Sequence, residues 1–227
     1  KKVDAFAEQR VVAVSAGYDH SLALTADGAV WSWGDGDYGK LGHGNEQIQL
    51  LPKEVEALAG RRIVAVSAAD SHSIALAADG AVWSWGGAGD GKLGHGDNQR
   101  QLLPKQVEAL AGQRVIAVSA EDHSLALTAD GAVWSWGCGG WGKLGHGDEQ
   151  NQLLPKKVEA FAGRCVVAVS AGGDHSIATN SDGAVFTWGK GGDLGGPGGG
   201  NLGHGDDLSN QLLPKKIEAW APERLGV

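Results

Sequence analysis

The residues of this chain that could do chemistry are eight histidines, two cysteines and scattered carboxylates beside glycine. His20, His72, His123 and His175 share one context, each followed by serine, and His43, His95, His146 and His204 share another, Leu-Gly-His-Gly. A metal site needs convergent ligands with supporting partners. A histidine that returns once per copy at one place reads instead as a tie between loop carbonyls and the frame. Asp35-Gly36-Asp37 hints at calcium, but the matching places read Gly87-Ala88-Gly89-Asp90, Cys138-Gly139-Gly140-Trp141 and Lys190-Gly191-Gly192-Asp193. The carboxylates do not recur, and no bidentate glutamate follows at the required offset. The glycine-rich stretches lack Gly-x-x-x-x-Gly-Lys-Ser/Thr and open no helix, so they do not read as phosphate loops. No nucleophile with a base and an orienting acid stands outside the repeats. The expectation is no catalytic residue, no metal and no cofactor. Cys138 and Cys165 fall at non-equivalent places, so they form no disulfide framework.

These residues sit in a sentence written four times. Leu24 to Gly34 reads Leu-Thr-Ala-Asp-Gly-Ala-Val-Trp-Ser-Trp-Gly, Leu127 to Gly137 repeats it, and near-copies stand at Leu76 to Gly86 and Asn180 to Gly189. The Asp-Gly pairs at Asp27, Asp79, Asp130 and Asp182 are 52, 51 and 52 residues apart. Leu-Gly-His-Gly begins at Leu41, Leu93, Leu144 and Leu202. The units run over approximately 8–60, 61–112, 113–163 and 164–221, one repeat domain in all. Lys1 to Ala7 matches the late segment Lys156 to Ala162, so residues 1–7 are expected to be an extra edge strand. That leaves a closed four-blade ring, which the shared end segments favour, or a partial arc of a larger propeller.

Each unit reads as strands with turn punctuation. Val11 to Ala16 is β-branched and small, as a strand buried on both faces requires. Asp27-Gly28 between His20–Ala26 and Ala29–Trp33 is a hairpin signal, and a two-residue type I′ turn predicts Leu24 opposite Trp31 and Leu22 opposite Trp33. Side chains alternate along a strand. Leu22, Leu24, Trp31 and Trp33 would then form a bulky face, with Ala23, Thr25, Val30 and Ser32 on a shallow one. Stacked copies would bury bulky against shallow, so each unit completes its neighbour. Lys53 to Leu58 is expected as an edge strand, or as a single helical turn, beginning after a proline. Units of about 50 residues with an apolar period of two point to an all-β propeller of four repeat blades.

Composition excludes other classes. The 38 glycines are more than twice the average share of about 7%, which implies many tight turns. The net charge of -8 gives no electrostatic footprint for nucleic acid, and no apolar run approaches the roughly 20 residues of a membrane span. No direct membrane insertion and no nucleic-acid partner are expected. The absence of a signal peptide and of a disulfide framework favours an intracellular location, in cytoplasm, nucleus or organelle. There is no methionine at all, as in a chain that is processed or part of something longer.

The run Val-Val-Ala-Val-Ser-Ala-Gly-x-Asp-His-Ser-Leu-Ala-Leu-Thr-x-Asp-Gly-x-Val-Trp-x-Trp-Gly, followed by Gly-x-Leu-Gly-His-Gly, resembles the regulator of chromosome condensation repeat. Trp33 to Gly44 is especially similar to copies in large HECT-type ubiquitin ligases. The resemblance implies a propeller of four-stranded blades, usually seven. Seven such blades need roughly 360 residues, more than the 227 present. The resemblance also implies protein partners, with two regulatory roles as alternatives: an arm of a ubiquitin ligase, or a nucleotide exchange factor for a small GTPase. Light sensing in plant members uses a Gly-Trp-Arg-His motif. Here the matching places read Gly17-Tyr18-Asp19-His20, Asp70-Ser71-His72, Glu121-Asp122-His123 and Gly173-Asp174-His175, without the tryptophan or the arginine.

Comparing the copies separates frame from freedom. The stretch after Trp-Gly varies, and the fourth copy carries a glycine-rich insertion there, Gly189 to Gly200. Loops on a rigid scaffold carry recognition, and Trp and Tyr dominate interface hot spots. The expected function is a non-catalytic protein-binding scaffold, a module of a larger assembly. Its expected contacts are Tyr38, Trp141, Lys190, Asp193, Leu194 and Trp220.

Overall fold

The computed structural model describes residue 6, residues 9–192 and residues 200–218. Sixteen strands in these residues form four antiparallel sheets of four. The first sheet, or blade, holds β1 (Val11–Ala16), β2 (His20–Thr25), β3 (Val30–Gly34) and β4 (Gln49–Glu54), side by side in chain order. Blade 2 holds β5 (Ile63–Ala68) to β8 (Gln101–Gln106), blade 3 β9 (Val115–Ala120) to β12 (Gln152–Lys157), and blade 4 β13 (Val166–Ala171) to β16 (Gln211–Lys216). Among the described residues no helix is long and apolar enough to cross a membrane.

The hairpin differs from the expected two-residue turn. Leu24 pairs with Val30, Ala23 with Trp31, Leu22 with Ser32 and Ser21 with Trp33. The Thr25 N–H donates to Ala29 O and the Gly28 N–H to Thr25 O, enclosing three residues rather than two. Only Gly28, at φ 93°, takes the left-handed conformation; Asp27 does not. This is a type I turn closed by a glycine bulge. Thr25 Oγ1 holds the turn by donating to Asp27 Oδ1 at 2.5 Å. The odd loop length shifts the pairing by one and re-sorts the faces. Leu22, Leu24, Val30 and Ser32 share one face, and Ser21, Ala23, Trp31 and Trp33 share the other.

Stacking of unlike faces survives this correction. Leu22, Leu24 and Val30 of blade 1 pack on Ala75, Ala77 and Trp85 of blade 2, closed below by Val55, Leu58 and Ile63. The next two seams repeat the arrangement around Trp136 and Trp188. Leu22, Val30, Trp85, Trp136 and Trp188 have no more than 1% exposure. Full burial of one such aliphatic side chain contributes about 1.5–3 kcal/mol.

The outermost strand also departs from expectation. β4 spans Gln49–Glu54 and contains Pro52, while Glu56–Leu58 is a 3-10 turn. An outer strand leaves one backbone edge open, so the missing proline N–H costs nothing there.

Of the ring and the arc that the sequence left open, the described residues form an arc: their buried clusters join blades 1 and 2, 2 and 3, and 3 and 4, and none joins blade 4 to blade 1. Every blade owns its four strands, so no front segment is needed to complete blade 4. Residues 1–5 and 7–8 lie outside the described residues. Phe6 packs on Trp31 and Trp33, with ring centroids 5.6 and 6.1 Å away. Phe161 sits in the same way on Phe186 and Trp188 one blade before blade 4. Ile177, at the position of buried Leu22, Ile74 and Leu125, is 37% exposed because no blade covers it.

Two glycines separate backbone strain from crowding. Gly42 and Gly60 both lie near φ 79°. A Cβ on Gly42 would meet Trp85 Nε1 at 2.9 Å, whereas nothing lies within 4 Å of one on Gly60. Gly60→Ala should therefore cost about 1 kcal/mol, and Gly42→Ala about 2–4 kcal/mol, in urea unfolding. Equal losses would contradict the tight seating of Gly42 on the indole.

Candidate partner-binding face

The first set of histidines bonds across the seams. His20 Nε2 lies 2.8 Å from Ser73 Oγ of the next blade, His72 Nε2 3.0 Å from Ser124 Oγ, and His123 Nε2 2.6 Å from Ser176 Oγ. Each serine hydroxyl donates onward to a lysine carbonyl of the preceding blade: Ser73 to Lys40 O, Ser124 to Lys92 O and Ser176 to Lys143 O. The indoles of Trp85 and Trp136 donate to those same Lys40 and Lys92 carbonyls at 2.9 Å. A hydroxyl has one proton, so the histidine must be the donor, through Nε2–H. That leaves Nδ1 of His20, His72 and His123 bare, buried and without a partner. The expected tie to loop carbonyls is thus made through a serine. The second set stays within the blade: His43, His95 and His146 bond to Ser32, Ser84 and Ser135, and those hydroxyls donate to the leucine carbonyl two residues before each histidine.

Burial keeps the seam histidines neutral. It lowers His20 to about 4, with Lys40 adding to the effect, and His123 to about 3, with Lys143 next. His72 is pushed well below the ordinary value for the same reason, with Lys92 second.

In each blade the loop after the third strand and the loop between the first and second strands lie on one face of the arc. Lys143 Nζ reaches Gly173 O at 2.8 Å, Asp174 Oδ1 at 3.2 Å and Asp122 Oδ2 at 3.6 Å, and is almost wholly buried. Lys40 is buried against Asp35 at 2.5 Å and holds that carboxyl below its ordinary range, through a hydrogen bond first. Glu121 is displaced the other way. Burial raises it, and the neighbouring charges of Asp122 and Asp70 add to the rise.

The tips after the third strand of blades 1, 2 and 3 are 3-10 turns, Asp37–Gly39, Gly89–Gly91 and Gly140–Gly142. Their middle residues Tyr38, Asp90 and Trp141 hold φ of 62, 59 and 63°, the three positive-φ non-glycine residues among those described. A glycine would sit there without strain. The left-handed conformation costs a side chain about 1–2 kcal/mol, and here it turns the side chains outward, with Tyr38 52% and Trp141 44% exposed.

The structure brings Trp141 and Lys190 together: Lys190 Nζ stands 5.2 Å from the Trp141 ring centre and 3.6 Å from Asp174 Oδ2. Tyr38 occupies the same tip position two blades away. Asp193, Leu194 and Trp220 lie outside the described residues. Sequence reasoning passed over exposed Tyr18, half-buried Glu121 and the buried lysines. The variation between Gly17-Tyr18-Asp19, Ala69-Asp70-Ser71 and Glu121-Asp122 was the available signal. Cys138 and Cys165 are unbridged. Among the described residues no group of three metal-ligating side chains converges.

Known proteins share this architecture. The family model of the RCC1-like domain matches residues 1–226. The chain is 44% identical over 210 residues to the E3 ubiquitin-protein ligase HERC2 of Mus musculus, covering 91% of this chain and 4% of that protein. It is 39% identical over 214 residues to the ultraviolet-B receptor UVR8 of Arabidopsis thaliana, covering 92% of this chain and 47% of the receptor. The chain thus spans less than half the length of these relatives. Human WBSCR16 superposes with TM-score 0.81 at 31% identity, over 93% of this chain and 52% of that one. Prp20p of Saccharomyces cerevisiae superposes with TM-score 0.82 at 25% identity, over 98% and 54%.

Two outcomes test the seam. Ser73→Ala strands the His20 N–H and should cost about 1–3 kcal/mol in denaturant unfolding. Ser21→Ala, the same position on the uncovered face of blade 1, should cost under about 0.5 kcal/mol. The histidines also set a pH dependence. Unfolded histidine takes a proton near pH 6.5, while native His20 and His123 resist until about 4 and 3. In that window the unfolded chain binds more protons, so stability falls on acidification from pH 6.5 toward 4. Thermal melts should show this slope, and His123→Gln should flatten it; an unchanged slope would show that His123 does not carry its share.

Proposed function

The chain belongs to the RCC1-like domain family, and on that footing we propose that it is a non-catalytic platform that holds partner proteins on its loop-bearing face. The observation that carries this reading is the set of strained tips. Tyr38, Asp90 and Trp141 occupy one position in three successive blades, each in a conformation that glycine adopts freely. Strain retained at a surface position points to a use for the side chain. Two of the three are aromatic and exposed, the residue types that anchor interfaces. Lys190 beside Trp141 extends the anchor with a cation. The relatives give the reading a class of partner: Prp20p is described by its binding to Gsp1p and histones, which are proteins.

A second reading is a regulatory arm of a ubiquitin ligase. The 44% identity to HERC2 favours it. A HECT domain encoded in the same transcript would decide for it. A third, nucleotide exchange on a small GTPase, is removed if the chain fails to accelerate nucleotide release.

The platform reading is tested by relieving the strain. Tyr38→Gly and Trp141→Gly remove both anchors without disturbing the turns. Stability should stay level or rise by up to about 1 kcal/mol in urea unfolding. Proteins captured by the tagged chain from its own cell extract, compared by quantitative mass spectrometry, should be lost with the double variant. A partner set that survives the double change would remove this face from the interface.

A further inference from the structure

Three hairpin turns of this chain differ at one residue. The run Ala-Asp-Gly-Ala-Val-Trp-Ser-Trp-Gly is identical at Ala26 to Gly34, Ala78 to Gly86 and Ala129 to Gly137, and the residue before it is Thr25, Ala77 and Thr128. Asp27, Asp79 and Asp130 are exposed. Gly28, Gly80 and Gly131 are left-handed, and each donates its N–H to the carbonyl of Thr25, Ala77 or Thr128 at 2.9 Å. All three glycines lie against the chain entering the next blade, where an added Cβ would meet Arg62, Val115 and Cys165 at 3.0, 3.2 and 3.1 Å. Asp182-Gly183 follows Asn180 and has different surroundings, so the first three turns form the controlled set.

The variable in that set is the hold on the carboxylate. Thr25 Oγ1 donates to Asp27 Oδ1, and Thr128 Oγ1 to Asp130 Oδ1, both at 2.5 Å. Ala77 carries no hydroxyl. Among the described residues the Asp79 side chain accepts from the Ala81 N–H alone, at 3.0 Å. The threonine hydroxyls also keep Asp27 and Asp130 below the usual carboxylate range, with the N–H groups of Ala29 and Ala132 second, and so keep them charged.

An aspartate followed by glycine can close on its own backbone, because no Cβ on the glycine blocks the approach. The amide nitrogen of Gly80 attacks Cγ of Asp79 in its acid form. An N–Cγ bond forms, and the amide proton and the carboxyl hydroxyl leave as water. Water then adds to the imide. Attack at the main-chain carbonyl breaks its bond to nitrogen and leaves the backbone running through Cγ. The product is isoaspartate, one carbon longer in the main chain and bearing a free α-carboxylate. The reaction needs only water. It does need the carboxyl group to turn inward and to take a proton, and a bound threonine hydroxyl opposes both.

We propose that Asp79-Gly80 is the preferred site of isoaspartate formation among these three turns, and that its product is a site for carboxyl methylation by a repair methyltransferase. In that second step the α-carboxylate oxygen takes the methyl group of a sulfonium donor: an O–CH3 bond forms and an S–CH3 bond breaks. The identical flanking sequences remove nearest-neighbour effects, which leaves the hydroxyl at the position of Ala77 as the selector. The added carbon falls in a turn whose length sets the strand pairing, beside the entry to blade 3.

The purified chain is aged at neutral pH and physiological temperature, and the isoaspartate at each turn is read by electron-transfer mass spectrometry of its peptides. Methylation of the same samples by an isoaspartyl methyltransferase with a labelled donor locates the modified peptide. A hydrogen bond of ordinary net strength shifts an equilibrium by about fivefold, and Asp79 should outpace Asp27 and Asp130 by about that factor. Thr128→Ala copies the native arrangement of blade 2 and should raise Asp130 to the rate of Asp79, with an unchanged circular dichroism spectrum. Ala77→Thr should bring Asp79 down to the rate of Asp27. Synthetic peptides spanning the three turns, which lack the folded hold, should age at one rate. Equal rates at the three sites of the folded chain overturn the proposal. So does an Asp130 that ages no faster in Thr128→Ala, or an aged chain in which Asp79 takes no methyl label.

Discussion

One carbonyl per blade carries the seam. The backbone oxygen of Lys40 accepts from Ser73 Oγ and from Trp85 Nε1, both in the next blade, and Lys92 O serves Ser124 and Trp136 alike. Ser73 is held in turn by His20 from the carbonyl's own blade. A buried carbonyl and a buried indole N–H are each costly unless paired. Here they satisfy each other across a boundary that would otherwise be a smooth apolar slip plane. Dispersion and burial make two sheets adhere, but they are indifferent to small sliding. The directional bonds choose one position, and the Leu-Gly-His-Gly turn that presents the carbonyl is thereby locked to its neighbour. At the third seam Trp188 fills the same place without that bond, and Ser176 alone engages Lys143 O.

This arrangement makes the fold close to one-dimensional. Each blade packs on the blades before and after it, so stability is a sum of blade terms and seam terms. The rigid seams then leave the loops free to differ. Buried Lys40 and Lys143 lie under the loop-bearing face, spending their charge on Asp35, Asp122 and Asp174 rather than on solvent. That fixes the floor from which Tyr38 and Trp141 project. Their strain is affordable because a turn held by Gly39 N–H to Gly36 O and Lys40 N–H to Asp37 O has no easier alternative once Leu102 fills the space beside Gly39.

The repeat and the stacking of unlike faces were legible in the sequence because they are periodic; the four strands per blade and the family were legible only through the motif resemblance. The hairpin register was not. Asp-Gly suits a two-residue turn and a three-residue turn equally well, and the choice rests on whether Asp27 or only Gly28 turns left-handed. The histidine–serine bond was also hidden. His20 and Ser73 are 53 residues apart, and only the stacking brings them together. Tyr38 and Trp141 stood out as aromatics in variable loops, but their left-handed backbone has no signature in residue type, since glycine is what such a position calls for. Lys190 was picked for its loop, and the ring of Trp141 beside it is a gift of the blade-to-blade geometry.

The three-residue hairpin turn has a consequence for how such a chain can be edited. One residue added between Thr25 and Ala29 would reverse the parity of β3 and send Trp31 and Trp33 to the wrong side of the sheet. In all four copies that turn encloses three residues. The opposite end of the strands obeys no such arithmetic. Between β9 and β10 two residues do what three do elsewhere, and the tip of the fourth copy is longer than its counterparts, while Ala120 still pairs with Ser124 and Phe186 with Lys216. Length is therefore quantised on one side of the arc and elastic on the other, so new segments can be spliced into only one of its two sides.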